Sequence, residues 1–177
     1  MSAITNFLMG EGNDNQGRNL NTVLGFDDSK WDECHDFIQW LFPLPVESKF
    51  AEFSPVLTHL DVETCNEQVM IQVGMLFAVK RFMQFLGFET AVKRHKEDRI
   101  RFNRSNKFDQ QAKYWLKARD HNHLRISRML QSLVLFEQEN VALEIFKALS
   151  LVKCDFPDCI TDETMVYWRN ALTGYSY

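Results

Sequence analysis

The sequence predicts an all-α protein: a compact, single-domain helical bundle around a buried central helix. Three observations carry this. Apolar residues recur at helical spacing in five stretches, the longest of these is apolar nearly all round in its second half, and strand signals are confined to one weak hairpin near residues 90–102. A chain of 177 residues with 45% hydrophobic residues, fifteen Phe and four Trp needs no disulfide or metal to fold. A domain of that size buries roughly 70% of its unfolded surface.

The first 25 residues, rich in Asn and Gly (GEGNDNQGRNLN), read as an irregular loop lying on the rest of the domain. Ser29 and Asp32 suggest a capping box for a helix over 30–42, in which Trp31, Cys34, Ile38, Leu41 and Phe42 share a face until Pro43 stops it. Pro43, Pro45 and Pro55 keep the following stretch irregular. Asp61 is the expected N-cap of the central helix, 62–86, which ends at Gly87; its second half is apolar nearly all round. Further helices are expected over 122–137, 140–152 and 161–172, the last capped by Thr161.

Residues 88–119 contrast with this pattern. They hold ten of the twenty Lys and Arg (Lys93, Arg94, Lys96, Arg99, Arg101, Arg104, Lys107, Lys113, Lys117, Arg119) against Glu89, Glu97, Asp98 and Asp109, with a small hairpin around Ala91-Val92 and Ile100-Phe102. A charge run of this kind is usually a solvated face. The alternative is a phosphate-binding or nucleic-acid-binding patch over 93–119. A net charge of -4 argues against a dedicated nucleic-acid-binding domain.

The N-terminus lacks a basic region followed by a long apolar run, so a cytoplasmic protein is expected. The stretch from Val69 to Val79 is too short to span a bilayer. Cys34, Cys65, Cys154 and Cys159 read as reduced thiols. A zinc site at Cys154/Cys159 or Cys34/His35 lacks the tight paired spacing that would support it, and no metal or cofactor is expected.

The most suggestive motif is HNHLRISRMLQSL, residues 121–133. Helical geometry puts His121, Arg125, Arg128 and Ser132 on one stripe beside the apolar face, where two guanidiniums and the first-turn N–H groups near Asn122 would suit an anionic ligand. The structural alternative is that both arginines pair with acids such as Asp27, Asp28, Asp32 or Asp36 while His121 caps the helix. In HDFIQWLFPLP, residues 35–45, Gln39 and Trp40 interrupt a core-like pattern; buried amide and indole groups usually find backbone partners. In DNQGRNL, residues 14–20, Gly17 permits a turn from which Arg18 projects, either solvated or as another anion contact.

No GxSxG, P-loop, GxGxxG, HExxH or paired CxxC is present. His35, His59, His95, His121 and His123 could supply a base and Cys34 a nucleophile, but no spacing unites them, so catalysis is the less favoured reading.

These motifs, with FLMG near the start, PVLT at 55–58, FLGF at 85–88, WLKARDHNHLRISRMLQSL at 115–133 and Tyr167 to Ala171, resemble the opioid growth factor receptor conserved domain, in particular its short stand-alone bacterial and phage-type members. Ser127 and Met129 depart mildly from the family pattern. The resemblance implies a helical domain whose polar motif residues (Arg18, His35, Gln39, Trp40, His121, Asn122, Arg125 and Arg128) share one pocket, and it implies no catalytic mechanism. The expected function is non-catalytic recognition of a small anionic ligand or a peptide. A protein-interaction factor, such as a phage protein acting on a host protein, is the alternative, with nucleic-acid binding third.

Overall fold

The computed structural model describes residues 1–48, 53–92 and 100–173. It is mostly helical, with ten helices and a single two-stranded sheet among the described residues. Two compact units, Met1–Arg81 and Phe82–Tyr177, meet within one helix.

The first unit holds α1 (Ala3–Met9), α2 (Leu20–Leu24), α3 (Asp28–Glu33), α4 (Ile38–Leu41), α5 (His59–Glu67) and most of α6 (Val69–Phe85). The expected N-terminal loop is thus partly helical. Ser2 caps α1 through the Thr5 N–H, Gly10 closes it at φ 81°, and Asn19 caps α2. Far from lying on the outside, α1 packs against α2, α4 and α5, with Phe7 and Leu8 wholly buried. Gly74 lets α6 approach it: a Cβ there would run into the Leu8 carbonyl oxygen.

Two expected helices are each divided. The 30–42 span is broken where Cys34 turns extended (φ -88°, ψ 125°), and Asp27, not Ser29, caps α3 by accepting from the Lys30 N–H. The 62–86 span is broken at Gln68, also extended (φ -89°, ψ 106°). There the Gln72 side chain donates to the Cys65 carbonyl and so satisfies an end of α5. Asp61 is the third residue of a true capping box with Thr58, not the cap itself. The apolar second half of α6 is buried as expected, but Val69, Met70, Val73 and Phe77 of its first half are exposed.

The second unit contains the end of α6, a hairpin of β1 (Phe88–Val92) and β2 (Ile100–Arg104), then α7 (Phe108–Trp115), α8 (His121–Leu135), α9 (Glu139–Asp155) and α10 (Asp162–Ala171). Gly87 ends α6 at φ 89°, where a Cβ would sit 2.8 Å from Phe108 Cα. The strands pair antiparallel, Phe88 opposite Arg104. The described parts of the 88–119 segment, residues 88–92 and 100–119, hold regular structure rather than a solvated charge run. They include α7, a helix not expected from the sequence, with Phe108, Gln111 and Trp115 inward.

Helix α8 packs on α7, α9 and α10. Its N-cap is Asp120, which accepts from the Asn122 N–H, so His121 is not the cap. Thr161 caps α10 as expected. Buried indoles tie the unit together: Trp115 Nε1 donates to the Leu86 carbonyl and Trp168 Nε1 to the His123 carbonyl, both at 3.0 Å. Arg104 pairs with Asp155 at 2.6 Å and covers the Phe108 ring, a structural use of one residue of the basic segment. Lys93, Arg94, His95, Lys96, Glu97, Asp98 and Arg99 lie outside the described residues. No described helix is long and apolar enough to cross a membrane.

Candidate functional site

The expected site residues fall in both units. In the first, Arg18 is held by its own loop. Asp14, buried, accepts from the Gln16 and Arg18 N–H groups through Oδ1 and from Arg18 Nε through Oδ2 at 2.6 Å, while Arg18 Nη2 reaches Asp36 at 2.8 Å. Gly17 at φ 76° makes this turn possible. Burial disfavours the Arg18 charge, but Asp36 and Asp14 outweigh it and hold the guanidinium above its ordinary pKa. Burial likewise opposes the Asp36 charge; hydrogen bonds from Cys34 and Arg18 overcome it and keep the carboxyl low. The Cys34 thiol, 3.1 Å from Asp36, is pushed up by burial and by that carboxylate, which makes it a poor nucleophile.

His35 is exposed. Gln39 and Trp40, both buried, behave otherwise than their residue types suggest. Gln39 Nε2 donates to Ser48 Oγ at 3.3 Å, yet Gln39 Oε1 and Trp40 Nε1 find no hydrogen-bond partner among the described residues. Trp40 rests edge-on against Phe7, ring centroids 5.4 Å apart.

In the second unit, the expected stripe on α8 divides by burial. His121 is exposed, Arg128 half-buried, and Asn122, Arg125 and Ser132 buried. Arg125 is only 7% exposed and donates from Nη1 to Asn122 Oδ1 at 3.1 Å, while Asn122 Nδ2 donates to the Tyr114 carbonyl. Arg125 is thus part of a buried polar chain.

The neighbouring face of α8 opens onto a cleft of about 310 Å³ shared with α10, at the small end of the range for ligand pockets. Arg119, Asp120, His123, Leu124 and Ser127 line it from α8 and the residues before it; Glu163, Thr164, Tyr167 and Trp168 line it from α10. None of the eight expected site residues is among them. Leu124 and Tyr167 form an exposed rim, 50% and 56% accessible, over buried His123 and Trp168.

His123 is the chemically distinctive residue of this cleft. Its Nε2 lies 3.0 Å from the Trp115 carbonyl oxygen. A carbonyl only accepts, so Nε2 carries the proton and Nδ1 is left as an acceptor. Nδ1 has no hydrogen-bond partner among the described residues. Burial lowers the imidazole pKa, against the opposing pull of the Trp115 carbonyl and Asp120, so the neutral ring is favoured. The ring packs edge-on to Trp168 at 5.5 Å, and its main-chain carbonyl accepts from both Trp168 Nε1 and Ser127 Oγ. The clue missed in the sequence is the four-residue spacing of His123 with Ser127 and of Thr164 with Trp168, each a pair on one helix face.

Fold and cleft together define a mostly helical protein with an aromatic-walled recess between two helices. The chain belongs to the opioid growth factor receptor (OGFr) conserved-region family, whose model matches residues 18–175. It is similar to opioid growth factor receptor-like protein 1 of Xenopus tropicalis, 29% identical over 135 residues, covering 75% of this chain and 25% of that protein. The chain therefore spans about a quarter of that relative's length. No solved structure matches.

Proposed function

We propose that the chain is a non-catalytic binding module of the cytoplasm, taking a small molecule or a side chain of a peptide into the α8–α10 cleft. Membership of a family described by a receptor supports a binding or interaction role. The observation that carries the specific reading is the cleft itself: an aromatic floor, an exposed rim and a buried acceptor with no partner among the described residues. Its imidazole bonds one main-chain carbonyl, that of Trp115, and among the described residues makes no bond to the hydroxyl, thiol or carboxylate that a catalytic dyad would need. Gln39 and Trp40, whose buried amide oxygen and indole N–H have no partner among the described residues, are a second candidate anchor in the first unit.

The anionic-ligand reading rests on Arg125 and Arg128, and the burial of Arg125 against Asn122 weighs toward a structural task for that residue. The test is native mass spectrometry of freshly purified wild type beside Ser127→Phe, which fills the cleft, and Arg125→Ala. A co-purifying adduct lost only from folded Ser127→Phe supports the cleft. An adduct lost only from Arg125→Ala moves the site to the arginine stripe. One retained by both variants rejects the two placements together.

A further inference from the structure

If the α8–α10 cleft is the binding site proposed above, its walls narrow the occupant. His123 Nδ1 is a buried acceptor without a partner among the described residues, and a buried acceptor left unmade is costly enough that a donor group arriving there regains real affinity. The floor and side wall are Trp168, His123 and Tyr167, broad surfaces that favour a flat ring in edge or offset contact. Charge decides the rest. An anion would meet Asp120 and Glu163 against Arg119 alone. A cation would find Glu163 at the edge, the Asp120 carboxylate already accepting from the Asn122 N–H, but at the floor it would lose its hydration against a neutral imidazole and an indole.

We infer that the cleft takes a flat, uncharged ring bearing one N–H or O–H donor, which packs on Trp168 and Tyr167 and donates to His123 Nδ1. Nδ1 is covered in this arrangement. A ligand reaches it by displacing the exposed Leu124 side chain at the rim of the cleft.

The test uses the full chain and two probes of nearly equal shape, indole and 1-methylindole, with benzoate as an anionic control. In 15N-resolved NMR titrations, indole should shift the Leu124, Ser127 and Tyr167 amides and move the His123 Nδ1 resonance. The methylated probe, which has no donor, should bind about fivefold or more weakly, the worth of one hydrogen bond. His123→Leu, which removes the acceptor, should bring the two probes level in a variant that still folds by its NMR spectrum. Equal affinity for both probes in the wild type, binding of neither, or benzoate binding more tightly than indole would each overturn the ligand class. The cleft's standing as a site is judged apart from this, by whether the co-purifying adduct depends on Ser127.

Discussion

The Asp14–Arg18–Asp36 loop and the His123 cleft are both places where polar side chains are buried, and they are finished differently. In the loop every strong group is met: Asp14 accepts from Gln16 and twice from Arg18, whose fork is taken up by Asp14 and Asp36. In the cleft one ring nitrogen is met by the Trp115 carbonyl and the other by nothing among the described residues. A closed network has no capacity left for a ligand and fixes the chain; an open acceptor beside a recess has capacity and costs stability until it is used. Of these two places, the loop closes its polar groups on one another, and the cleft leaves an acceptor without a partner among the described residues.

That contrast breaks first, if it breaks, at Asp14. Asp14→Ala should cost about 3 kcal/mol in urea unfolding, because it removes three hydrogen bonds and leaves a largely buried guanidinium with one carboxylate. A loss under about 1 kcal/mol would mean that the loop is solvated and that Arg18 is available to a ligand after all. Next comes Trp168→Phe, expected to cost about 2 kcal/mol through the lost bond to the His123 carbonyl and the smaller ring in a fully buried position. Ser127→Phe should fall within about 1 kcal/mol of wild type, since Ser127 is only half-buried at the cleft. The same change should abolish binding of the indole probe, the reverse of the pattern expected at Asp14.

The fold class was legible because α8, α9 and α10 announce themselves by the spacing of Ile126, Met129, Leu130 and Leu133, of Ala142, Ile145 and Leu149, and by the Thr161 cap. The breaks at Cys34 and Gln68 were not legible, because neither residue is a proline or glycine and each break is fixed by partners: Asp36 for Cys34, and the Gln72 side chain reaching back to Cys65. Helix α7 was hidden within a segment rich in Lys and Arg, although Phe108, Gln111 and Trp115 share one face. In the α8 motif, residues 121–133, charge singles out Arg125 and Arg128. The cleft lies one face over, at His123 and Ser127, and its other wall comes from α10, more than thirty residues away in sequence. Helical periodicity identifies faces; it does not say which two faces meet.

The smallest expected effect is the most direct probe of the open acceptor. Burial lowers the folded-state pKa of His123, so near and below the ordinary imidazole value of about 6.5 the unfolded chain binds more protons than the folded one. Stability contributed by the neutral ring is present above that value and is lost as pH falls through the lower folded-state pKa. The melting temperature should therefore decline on acidification below neutrality, before the carboxylates titrate, and His123→Gln should flatten that decline. Indole at saturating concentration should steepen it, because its donor needs the lone pair that protonation removes. An unchanged slope with indole would show that Nδ1 is not the atom the ligand uses, and the difference between loop and cleft would then rest on the recess alone.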